Sequence, residues 1–444
     1  MNNLIVILGA AESGVGAAIL AQKQGFDVFV SDFGKIKEEY ISILDKYKIP
    51  YEQGNHSMDK ILSACQVIKS PGIKNNAPVI LQIVKKNIPV ISEIEFAARY
   101  TDAKKICITG SNGKTTTTEL TYKIFKYAGL NVGMAGNVGK SFALQVATCN
   151  FDYYILELSS FQLDNMYDFK AEVAVLLNVT PDHLDRYDYK MQNYTDSKFR
   201  ITRNQSADDF FIWFADDPVS AAEMEKRSFN QNVIPFTLKN SIDKGAYIKD
   251  GNMIIKLDNS ETVYSTENFT LEGPHNLCNS MAAAIAASVC NIRSSSIRKS
   301  FETFKGLEHR LERFLSIRGV DFVNDSKATN VNSVWYALES IQTPVILILG
   351  GVDKGNDYSE LYDLVKQKVK TIVALGVDNA PIHKAFDNMI EVIDTDSMDN
   401  CVKTCFMLAQ KGDTVLLSPA CASFDLFTCY EDRGEKFKLA VRNL

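Results

Sequence analysis

The stretch TGSNGKTT, residues 109 to 116, combines residue types and a spacing that are suited to binding polyphosphate. The apolar run from 105 to 108 predicts a strand before it, and the pattern from 115 to 127 predicts a helix after it. A glycine-bearing turn between a strand and a helix directs backbone N–H groups and the positive end of the helix dipole at one point. Lys114 would then reach the β- and γ-phosphates, and the Thr115 hydroxyl would bind Mg²⁺.

The glycine spacing departs from the usual phosphate loop. The usual pattern has a glycine where this chain has Ile108, and Gly110 and Gly113 stand closer together instead. We therefore predict a shortened variant of the loop. The alternative is an ordinary glycine turn that enters a helix.

Glu157 is the first acid in the apolar segment YYILELSSFQL, residues 153 to 163, which we predict to be a strand. An acid at the carboxyl end of a strand beside a phosphate loop is a common second ligand for Mg²⁺. A surface carboxylate is the alternative. The apolar residues before Glu157 disfavour it, because they predict burial on both faces of a sheet.

A second apolar segment, 173 to 179, runs into a polar turn that contains Asp182, His183 and Asp185. We predict that this segment is a strand next to the strand of Glu157. A lone histidine is more often structural than catalytic. Its position after a strand of the same sheet favours a functional role for His183, since ligands gather at the carboxyl ends of parallel strands.

The N-terminal residues LIVILGAAESGVG predict a strand followed by a helix, and VFVSD predicts the next strand. Gly9, Gly14 and Asp32 are placed as in a dinucleotide-binding βαβ unit. Ala11 replaces the central glycine that lets a pyrophosphate lie against the backbone. A dinucleotide-dependent oxidoreductase is therefore an open but weaker alternative.

The chain predicts an α/β fold of three domains, because its 444 residues alternate strand and helix patterns over most of their length. We expect a Rossmann-like domain over residues 1–93, a central P-loop ATPase-like domain with a mostly parallel sheet over 94–305, and a Rossmann-like domain over 306–444. In the third domain the predicted strand ends carry Asp325 to Lys327, Asp353 with Lys354, and Ser418 to Ser423.

Composition excludes several classes of protein. A formal net charge of −6 disfavours a nucleic-acid binder and is compatible with small anionic ligands. No apolar run approaches the length of a membrane span, and the N-terminus lacks the basic start of a signal peptide, so we expect a cytoplasmic protein. The nine cysteines include no C-x-x-C pair and are expected to be reduced packing residues.

The motifs together resemble the Mur ligases. They are TGSNGKTT, GNVG, LELSSFQL, NVTPDHLDRY, SKFRI, GPHN, LEHR, NDSKATN, GGVDKG and SPACASFD, in the order and spacing of that family. LELSSFQL, NVTPDHLDRY and SPACASFD resemble the branch that adds D-glutamate. The resemblance implies three domains that bind a UDP-sugar, ATP and the incoming amino acid. It also implies ATP-dependent amide formation with two Mg²⁺ sites, on small-molecule substrates and in a monomer.

The resemblance also assigns roles to individual residues, with Lys114, His183 and Lys198 as catalytic groups. ATP would be bound by Asn112, Gly113, Lys114, Thr115, Thr116, Asn276, Arg310 and Asp325. Metal would be held by Thr115, Glu157, His183 and Lys198, the lysine as a carbamate, although composition alone would place Lys198 on a solvated face of a helix over 188–203. UDP-N-acetylmuramoyl-L-alanine would be bound by Ser13, Asp32, Ser70, Gly72 and Asn137. D-Glutamate would be bound by Lys327, Thr329, Lys354, Ser423, Phe424 and Tyr430.

Two positions depart from the family pattern. Phe33-Gly34 follows Asp32 where some members have Thr-Arg, and Tyr430 stands where a phenylalanine is familiar. The remaining alternatives are another Mur ligase, a folylpolyglutamate synthase and a non-catalytic nucleotide-binding regulator. Substrate choice and phosphate release would separate them.

Overall fold

The computed structural model describes residues 3–239, 241–258, 260–271, 273–304, 306, 308–353 and 355–444. Within these residues the strands form three sheets of five, nine and six strands. Most neighbouring strands are parallel, and helices alternate with them along the chain. The α/β architecture with Rossmann-like first and third sheets and a central P-loop sheet is confirmed.

The first sheet is entirely parallel, with the order β3-β2-β1-β4-β5. Its order reverses between β1 and β4, so the switch point where ligands bind in open sheets lies between their carboxyl ends. The elements are β1 Leu4–Leu8, α1 Glu12–Lys23, β2 Asp27–Asp32, α2 Glu38–Tyr47, β3 Tyr51–Gln53, α3 Met58–Ile61, β4 Gln66–Lys69, α4 Pro78–Lys85, β5 Val90–Ile91 and α5 Glu93–Ala98.

The central sheet has the order β14-β13-β12-β11-β10-β9-β6-β8-β7. It is parallel from β7 to β12 and ends in the antiparallel strands β13 and β14. The elements are β6 Lys104–Thr109, α6 Lys114–Tyr127, β7 Val132–Gly136, α7 Phe142–Thr148, β8 Tyr153–Glu157, α8 Ser160–Leu163, β9 Val173–Leu176, α9 Met191–Phe199, β10 Phe210–Phe214, α10 Pro218–Lys226, β11 Asn232–Thr237, β12 Gly245–Lys249, β13 Asn252–Leu257, β14 Ser260–Ser265, α11 Pro274–Val289 and α12 Ser294–Thr303. Short 3₁₀ turns span Leu184–Arg186, Arg200–Thr202 and Thr266–Asn268.

The third sheet has the order β15-β16-β20-β17-β18-β19, with β15 antiparallel to β16 and the other pairs parallel. The elements are β15 Glu312–Ile317, β16 Val320–Asn324, α13 Val331–Ser340, β17 Val345–Gly350, a 3₁₀ turn Tyr358–Leu361, α14 Tyr362–Lys368, β18 Val369–Leu375, α15 Ala380–Phe386, β19 Val392–Thr395, α16 Met398–Leu408, β20 Thr414–Ala420 and α17 Tyr430–Arg442.

Three details of the sequence prediction are wrong. The segment 153 to 163 is not one strand: β8 ends at Glu157, and Ser159 begins a short helix through a capping box with Gln162. The strand predicted over 173 to 179 ends at Leu176. This strand, β9, pairs with β6, and β6 pairs with β8, the strand of Glu157. The two strands are therefore not neighbours, although the sequence analysis predicted that they are.

The chain divides into two compact units. One contains Met1–Phe269 and Asn276–Phe304, and the other contains Thr270–His275 and Lys305–Leu444. The first unit thus holds two sheets, while the domain boundaries near 93 and 305 stay a prediction. In the part of the chain that the structure describes, no helix is both long and apolar enough to cross a membrane.

Candidate active site

The phosphate loop is the turn between β6, which ends at Thr109, and α6, which begins at Lys114. Gly113 caps the helix with φ of 82°, a left-handed conformation that favours glycine. A Cβ at this position would also collide with Oδ1 of Asn279. The first N–H groups of α6 are therefore held at the carboxyl edge of the central sheet, as the sequence predicts.

The residues after β9 brace this loop from one side. The backbone N–H of Asn112 donates to Oδ1 of Asn178 at 2.9 Å. The Ser111 hydroxyl donates to the Thr180 carbonyl at 2.9 Å and accepts from the Thr180 N–H at 2.9 Å. The loop conformation is thus fixed by side chains that sequence reasoning did not select.

Helix α11 braces the loop from the other side. The Thr117 hydroxyl donates to Oδ1 of Asn279 at 3.2 Å, and Nδ2 of Asn279 donates to Oδ1 of Asn276 at 3.2 Å. Asn276 therefore lies beside the first turns of α6, near the place where a nucleotide would bind. Asn279 was not predicted, although an amide side chain one turn after Asn276, at the start of an alanine-rich helix, could have indicated a second contact with the loop.

Two lysine amines meet at one backbone carbonyl. Lys114 Nζ donates to the carbonyls of Gly110 and Ser111, both at 2.8 Å, and Lys198 Nζ donates to the Gly110 carbonyl at 2.7 Å. Lys198 is only 1% exposed and lies 4.6 Å from the ring centroid of Tyr194. The prediction from composition that Lys198 lies on a solvated face is wrong.

Burial, together with the charge of Lys114, holds the pKa of Lys198 well below its usual range. Desolvation disfavours the charged amine, and a neighbouring cation disfavours it further. Asp182, Glu157 and Asp164 act in the opposite direction more weakly. This lowering increases the share of the neutral amine, which is the nucleophilic form.

Glu157 ends β8 at the same edge, beside Ile108 of β6. Its side chain is 1% exposed, and Oε1 accepts a hydrogen bond from Nδ2 of Asn137 at 2.8 Å. Within the described residues, Oε2 is buried without a hydrogen-bond partner, and so is the Thr116 hydroxyl. A buried carboxylate oxygen without a donor fits a hard cation, so this donor set is compatible with Mg²⁺.

His183 follows β9 in a left-handed conformation with φ of 51°. Its ring packs against Phe161 with centroids 5.1 Å apart, and Nε2 lies 3.6 Å from Oδ2 of Asp182. The side chain is 45% exposed. Its place after β9 is on the same strand edge as the phosphate loop, so a role near the reacting groups stays a prediction.

At the switch point of the first sheet, Gly9 and Ser70 follow β1 and β4. The Ser70 N–H donates to the Leu8 carbonyl at 2.9 Å, and a Cβ on Gly9 would approach the Ser70 side chain too closely. Ser13 lies in the first turn of α1 at this point. Gly72 follows Ser70 in the same turn, where a ligand between β1 and β4 would lie.

Asp32 holds the turn after β1. Its Oδ2 accepts from the Ala10 N–H at 2.7 Å, and its Oδ1 accepts from the Gly34 N–H at 2.8 Å. Phe33 beside it is 71% exposed. Both carboxylate oxygens therefore order backbone, and a ligand contact of Asp32 would use their remaining lone pairs.

In the other unit, Asp325 lies at the end of β16 with both oxygens bonded. Oδ2 accepts from the Ser418 hydroxyl at 2.8 Å, and Oδ1 accepts from the Leu311 N–H at 3.1 Å. Burial raises the pKa of Asp325 to about 6, against the lowering effect of Arg310. Nε of Arg310 is buried without a partner among the described residues, which leaves a donor for a further ligand.

Arg433 joins the loops that carry the predicted D-glutamate residues. Its guanidinium donates to the Ser326 hydroxyl at 3.0 Å, the Ser326 carbonyl at 2.8 Å and the Cys421 carbonyl at 3.1 Å. The Ser326 hydroxyl in turn donates to the Tyr430 carbonyl at 2.7 Å. Sequence reasoning missed Arg433, because an arginine within a terminal helix usually faces solvent.

The predicted D-glutamate residues differ in exposure. Ser423 is 2% exposed and Phe424 is 73% exposed. Lys327 Nζ lies 5.4 Å from the ring centroid of Tyr430, and Thr329 is half-buried. The structure therefore brings Lys327 and Tyr430 together, whereas Lys354 lies outside the described residues.

Comparison with known proteins assigns the chain to a family. Family descriptions match over most of its length: the MurD N-terminal domain over residues 5–79, the Mur ligase middle domain over 108–287, and the Mur ligase glutamate ligase domain over 309–421. UDP-N-acetylmuramoylalanine–D-glutamate ligase of Bacteroides fragilis is 55% identical over 442 residues, covering 99% of each chain. The enzymes of that name from Bacteroides thetaiotaomicron and Porphyromonas gingivalis are 56% and 54% identical, and 99% of this chain is covered in each case, with 99% and 98% of the relatives.

The chain belongs to the UDP-N-acetylmuramoylalanine–D-glutamate ligase family. This membership confirms the resemblance that the motifs indicate.

Solved structures of two more distant ligases share the fold. UDP-N-acetylmuramate-alanine ligase MurC from Thermotoga maritima aligns with a TM-score of 0.63 at 15% identity, over 99% of both chains. A pseudomurein peptide ligase type C from Methanothermus fervidus aligns with a TM-score of 0.62 at 21% identity, over 100% of both chains. The family fold thus persists where most of the sequence has changed.

Proposed function

We propose that this member of the ligase family joins D-glutamate to UDP-N-acetylmuramoyl-L-alanine, with ATP as the energy source, in the synthesis of peptidoglycan precursors. The observation that carries the proposal is the braced phosphate loop within a chain that is 54–56% identical, over nearly its full length, to enzymes of that name. The reaction would take place in the cytoplasm, where ATP is available, in a monomer of three domains bounded near residues 93 and 305.

The chemistry requires that a carboxylate be activated. A carboxylate does not react with an amine at neutral pH, because its oxygen is a poor leaving group. The L-alanyl carboxylate attacks the γ-phosphate of ATP, forms an acyl phosphate and releases ADP. The amine of D-glutamate then adds to the acyl carbon, phosphate leaves, and the amine loses a proton.

The protein's part in this reaction is mainly electrostatic. Both steps concentrate negative charge on phosphoryl and acyl oxygens, so fixed donors and cations stabilise the transition states. The N–H groups of Gly113 to Thr116 and the amine of Lys114 would supply them at the start of α6, and Asn112 is a further proposed ATP contact. Asn276 lies beside α6 to contact the nucleotide, and Arg310 and Asp325 complete the proposed ATP-binding set.

Magnesium would be held at two sites by Thr115, Glu157, His183 and a carbamate on Lys198. When bound, it supplies positive charge that neutralises the phosphate oxygens. Burial lowers the pKa of Lys198 and so makes more of its neutral amine available, which can add to CO₂ and, after loss of a proton, become an anionic ligand. Glu157 would bind the metal through Oε2, the carboxylate oxygen that accepts no hydrogen bond within the described residues.

The two other substrates would bind at the edges of the remaining sheets. Ser13, Asp32, Ser70, Gly72 and Asn137 form the proposed UDP-sugar site. Lys327, Thr329, Lys354, Ser423, Phe424 and Tyr430 form the proposed D-glutamate site. Ser13, Asp32, Ser70 and Gly72 lie around the switch point of the first sheet, whereas Asn137 follows β7 of the central sheet. In the second set, Arg433 joins the segments next to Lys327, Ser423 and Tyr430.

A substrate panel tests the proposal. Purified protein with ATP and Mg²⁺ is given each of UDP-N-acetylmuramic acid, UDP-N-acetylmuramoyl-L-alanine and a folate, in combination with L-alanine, D-glutamate, L-glutamate or a diamino acid. Mass spectrometry should detect a product only from UDP-N-acetylmuramoyl-L-alanine and D-glutamate. A product from another pair would assign a different ligase activity, and binding of NADH or NADPH would favour the oxidoreductase alternative.

A further inference from the structure

Arg186 connects the 3₁₀ turn after β9 with the turn that follows β4. Its guanidinium donates to three consecutive carbonyls, those of Pro71 at 3.1 Å, Gly72 at 3.2 Å and Ile73 at 3.4 Å. Lys69 Nζ donates to the Ile73 carbonyl as well, at 2.7 Å. Charged donors therefore hold every carbonyl from Pro71 to Ile73 on one side of the turn.

This arrangement fixes the direction of the N–H groups. Among the described residues all peptide bonds are trans, and in a trans peptide the N–H points away from the C=O of the same unit. Because the Pro71 carbonyl faces Arg186, the Gly72 N–H faces the opposite side. The Ile73 N–H closes the turn on the Ser70 carbonyl at 3.1 Å.

The Gly72 N–H belongs to an exposed residue. It makes no hydrogen bond to another described residue, and no atom beyond the two adjacent residues lies within 4 Å of the place that a Cβ on Gly72 would occupy. The turn lies at the switch point of the first sheet, next to Ser70. A donor that is oriented and exposed at such a place is available to a ligand.

The side chain of Arg186 is itself held in place. Its guanidinium lies 4.2 Å from the ring centroid of Phe161, and that ring packs against His183 at 5.1 Å. Lys69 lies beside Arg186 and is 2% exposed. Lys69 and Arg186 place two cations on the carbonyl side of the turn, while Asp164 acts on Lys69 in the opposite direction and Asp185 pairs with Lys74.

We propose that Arg186 is a positioning residue for the sugar-nucleotide substrate: it orients the Gly72 N–H toward that substrate and thereby sets its affinity. The inference rests on the proposed function for the identity of the ligand. Arg186 touches no reacting atom in this account. Its effect is therefore expected in substrate binding rather than in the chemical step.

The test compares Arg186→Ala and Arg186→Lys with the matched control Lys74→Ala. Lys74 also joins the two turns, through an ion pair with Asp185 at 3.3 Å, but it is half-exposed and its amine bonds to no carbonyl of the turn. Calorimetry measures Kd for UDP-N-acetylmuramoyl-L-alanine, and steady-state kinetics measures kcat and the KM of each substrate. Melting temperatures report folding.

Arg186→Ala should raise Kd and KM for the UDP-sugar about tenfold, the value of one hydrogen bond, while KM for ATP and D-glutamate stays within about twofold. Arg186→Lys should lie between wild type and Arg186→Ala, because an ammonium lacks the planar fork that spans several carbonyls. Lys74→Ala should match wild type. If Arg186→Ala fails to fold, the Arg186→Lys variant decides.

Three results would overturn the inference: unchanged UDP-sugar binding in the Arg186 variants, an equal rise of KM for all three substrates, or the same loss in Lys74→Ala. The last result would show that tethering of the turns matters and carbonyl orientation does not. A wild-type protein that binds no UDP-sugar would instead refute the proposed function, and the inference with it.

Discussion

Two amines, those of Lys114 and Lys198, share the Gly110 carbonyl, and this contact separates their roles. Two ammonium groups on one carbonyl in a buried site repel each other, which disfavours the charged form of the more buried one. Lys198 is the more buried, and its pKa is lowered. Lys114 is partly exposed and is the proposed phosphate-binding cation.

Lys114→Ala should abolish ligation, because it removes the cation that contacts the β- and γ-phosphates. Lys114 is partly exposed, and its amine donates to two carbonyls of the loop instead of packing in a hydrophobic core, so the melting temperature should stay within a few degrees of wild type. Product formation and thermal melting measure the two effects. Lys126→Ala, an exposed lysine at the end of the same helix, is the control and should be fully active. Appreciable ligation by Lys114→Ala would place the ATP site elsewhere.

Lys198→Ala should lose nearly all activity, because the proposed carbamate ligand is removed. Acetate should restore part of it by supplying a carboxylate in the vacated space, and Lys190→Ala, an exposed residue at the start of α9, should be active without acetate. Activity is measured against acetate concentration in bicarbonate buffer. Full activity of Lys198→Ala without acetate, or bound Mg²⁺ beside an unmodified ammonium, would contradict the carbamate.

The position of a residue is predictable where the pattern is local. Lys114 and Thr115 begin α6 and Glu157 ends β8, because the strand, turn and helix patterns are consecutive in sequence, while the roles of these residues stay predictions. Asn178 and Arg433 were missed because their roles arise from contacts with distant segments. Arg433 in particular contacts Ser326, 107 residues away, which no local pattern encodes.

At the scale of elements, the differences from prediction have local causes. The strand of Glu157 is short because Ser159 and Gln162 form a capping box, a signal that the sequence contains. Strand β15 was not predicted, because none of its six residues is fully buried, three of them are polar, and it pairs only at a sheet edge. Edge strands carry weaker apolar patterns than central ones.

The start of α7 depends on a buried acid. Oε1 of Glu93 accepts from the Ser141 hydroxyl at 2.7 Å and from the Ala143 N–H at 2.6 Å. Burial raises the pKa of Glu93 from 4.5 to about 7. The folded protein therefore keeps a proton on Glu93 at pH values where the unfolded chain releases it.

This shift predicts how stability depends on pH. The contribution of protonated Glu93 is fully present below about pH 4.5 and is lost as pH rises toward 7. Glu93→Gln keeps the accepting oxygen and stays uncharged, so its free energy of unfolding relative to wild type should rise by roughly 1–3 kcal/mol between pH 5 and pH 8. Urea unfolding at both pH values measures this change. Glu38→Gln, at the exposed start of α2, should show none, and a pH-independent difference for Glu93→Gln would contradict the assignment.

At the scale of the molecule, the three sheets follow from alternating strand and helix patterns. The grouping of the first two sheets in one compact unit does not follow from these patterns. Helix α1 packs on α7 through Gly16, where a Cβ would collide with the Ser141 hydroxyl. In the sequence Gly16 belongs to a glycine-rich dinucleotide-like motif, so its packing role becomes visible only in the structure.

As an ATP-dependent ligase, the whole molecule needs three substrates together: ATP, the UDP-sugar and D-glutamate. Phosphate release measured with ATP, UDP-N-acetylmuramoyl-L-alanine and D-glutamate, and then with each omitted in turn, tests this claim most directly. We expect multiple-turnover release only from the complete mixture, in step with formation of the amide product. Release at an equal rate without the UDP-sugar or without D-glutamate, or no release from the complete mixture, would contradict the account.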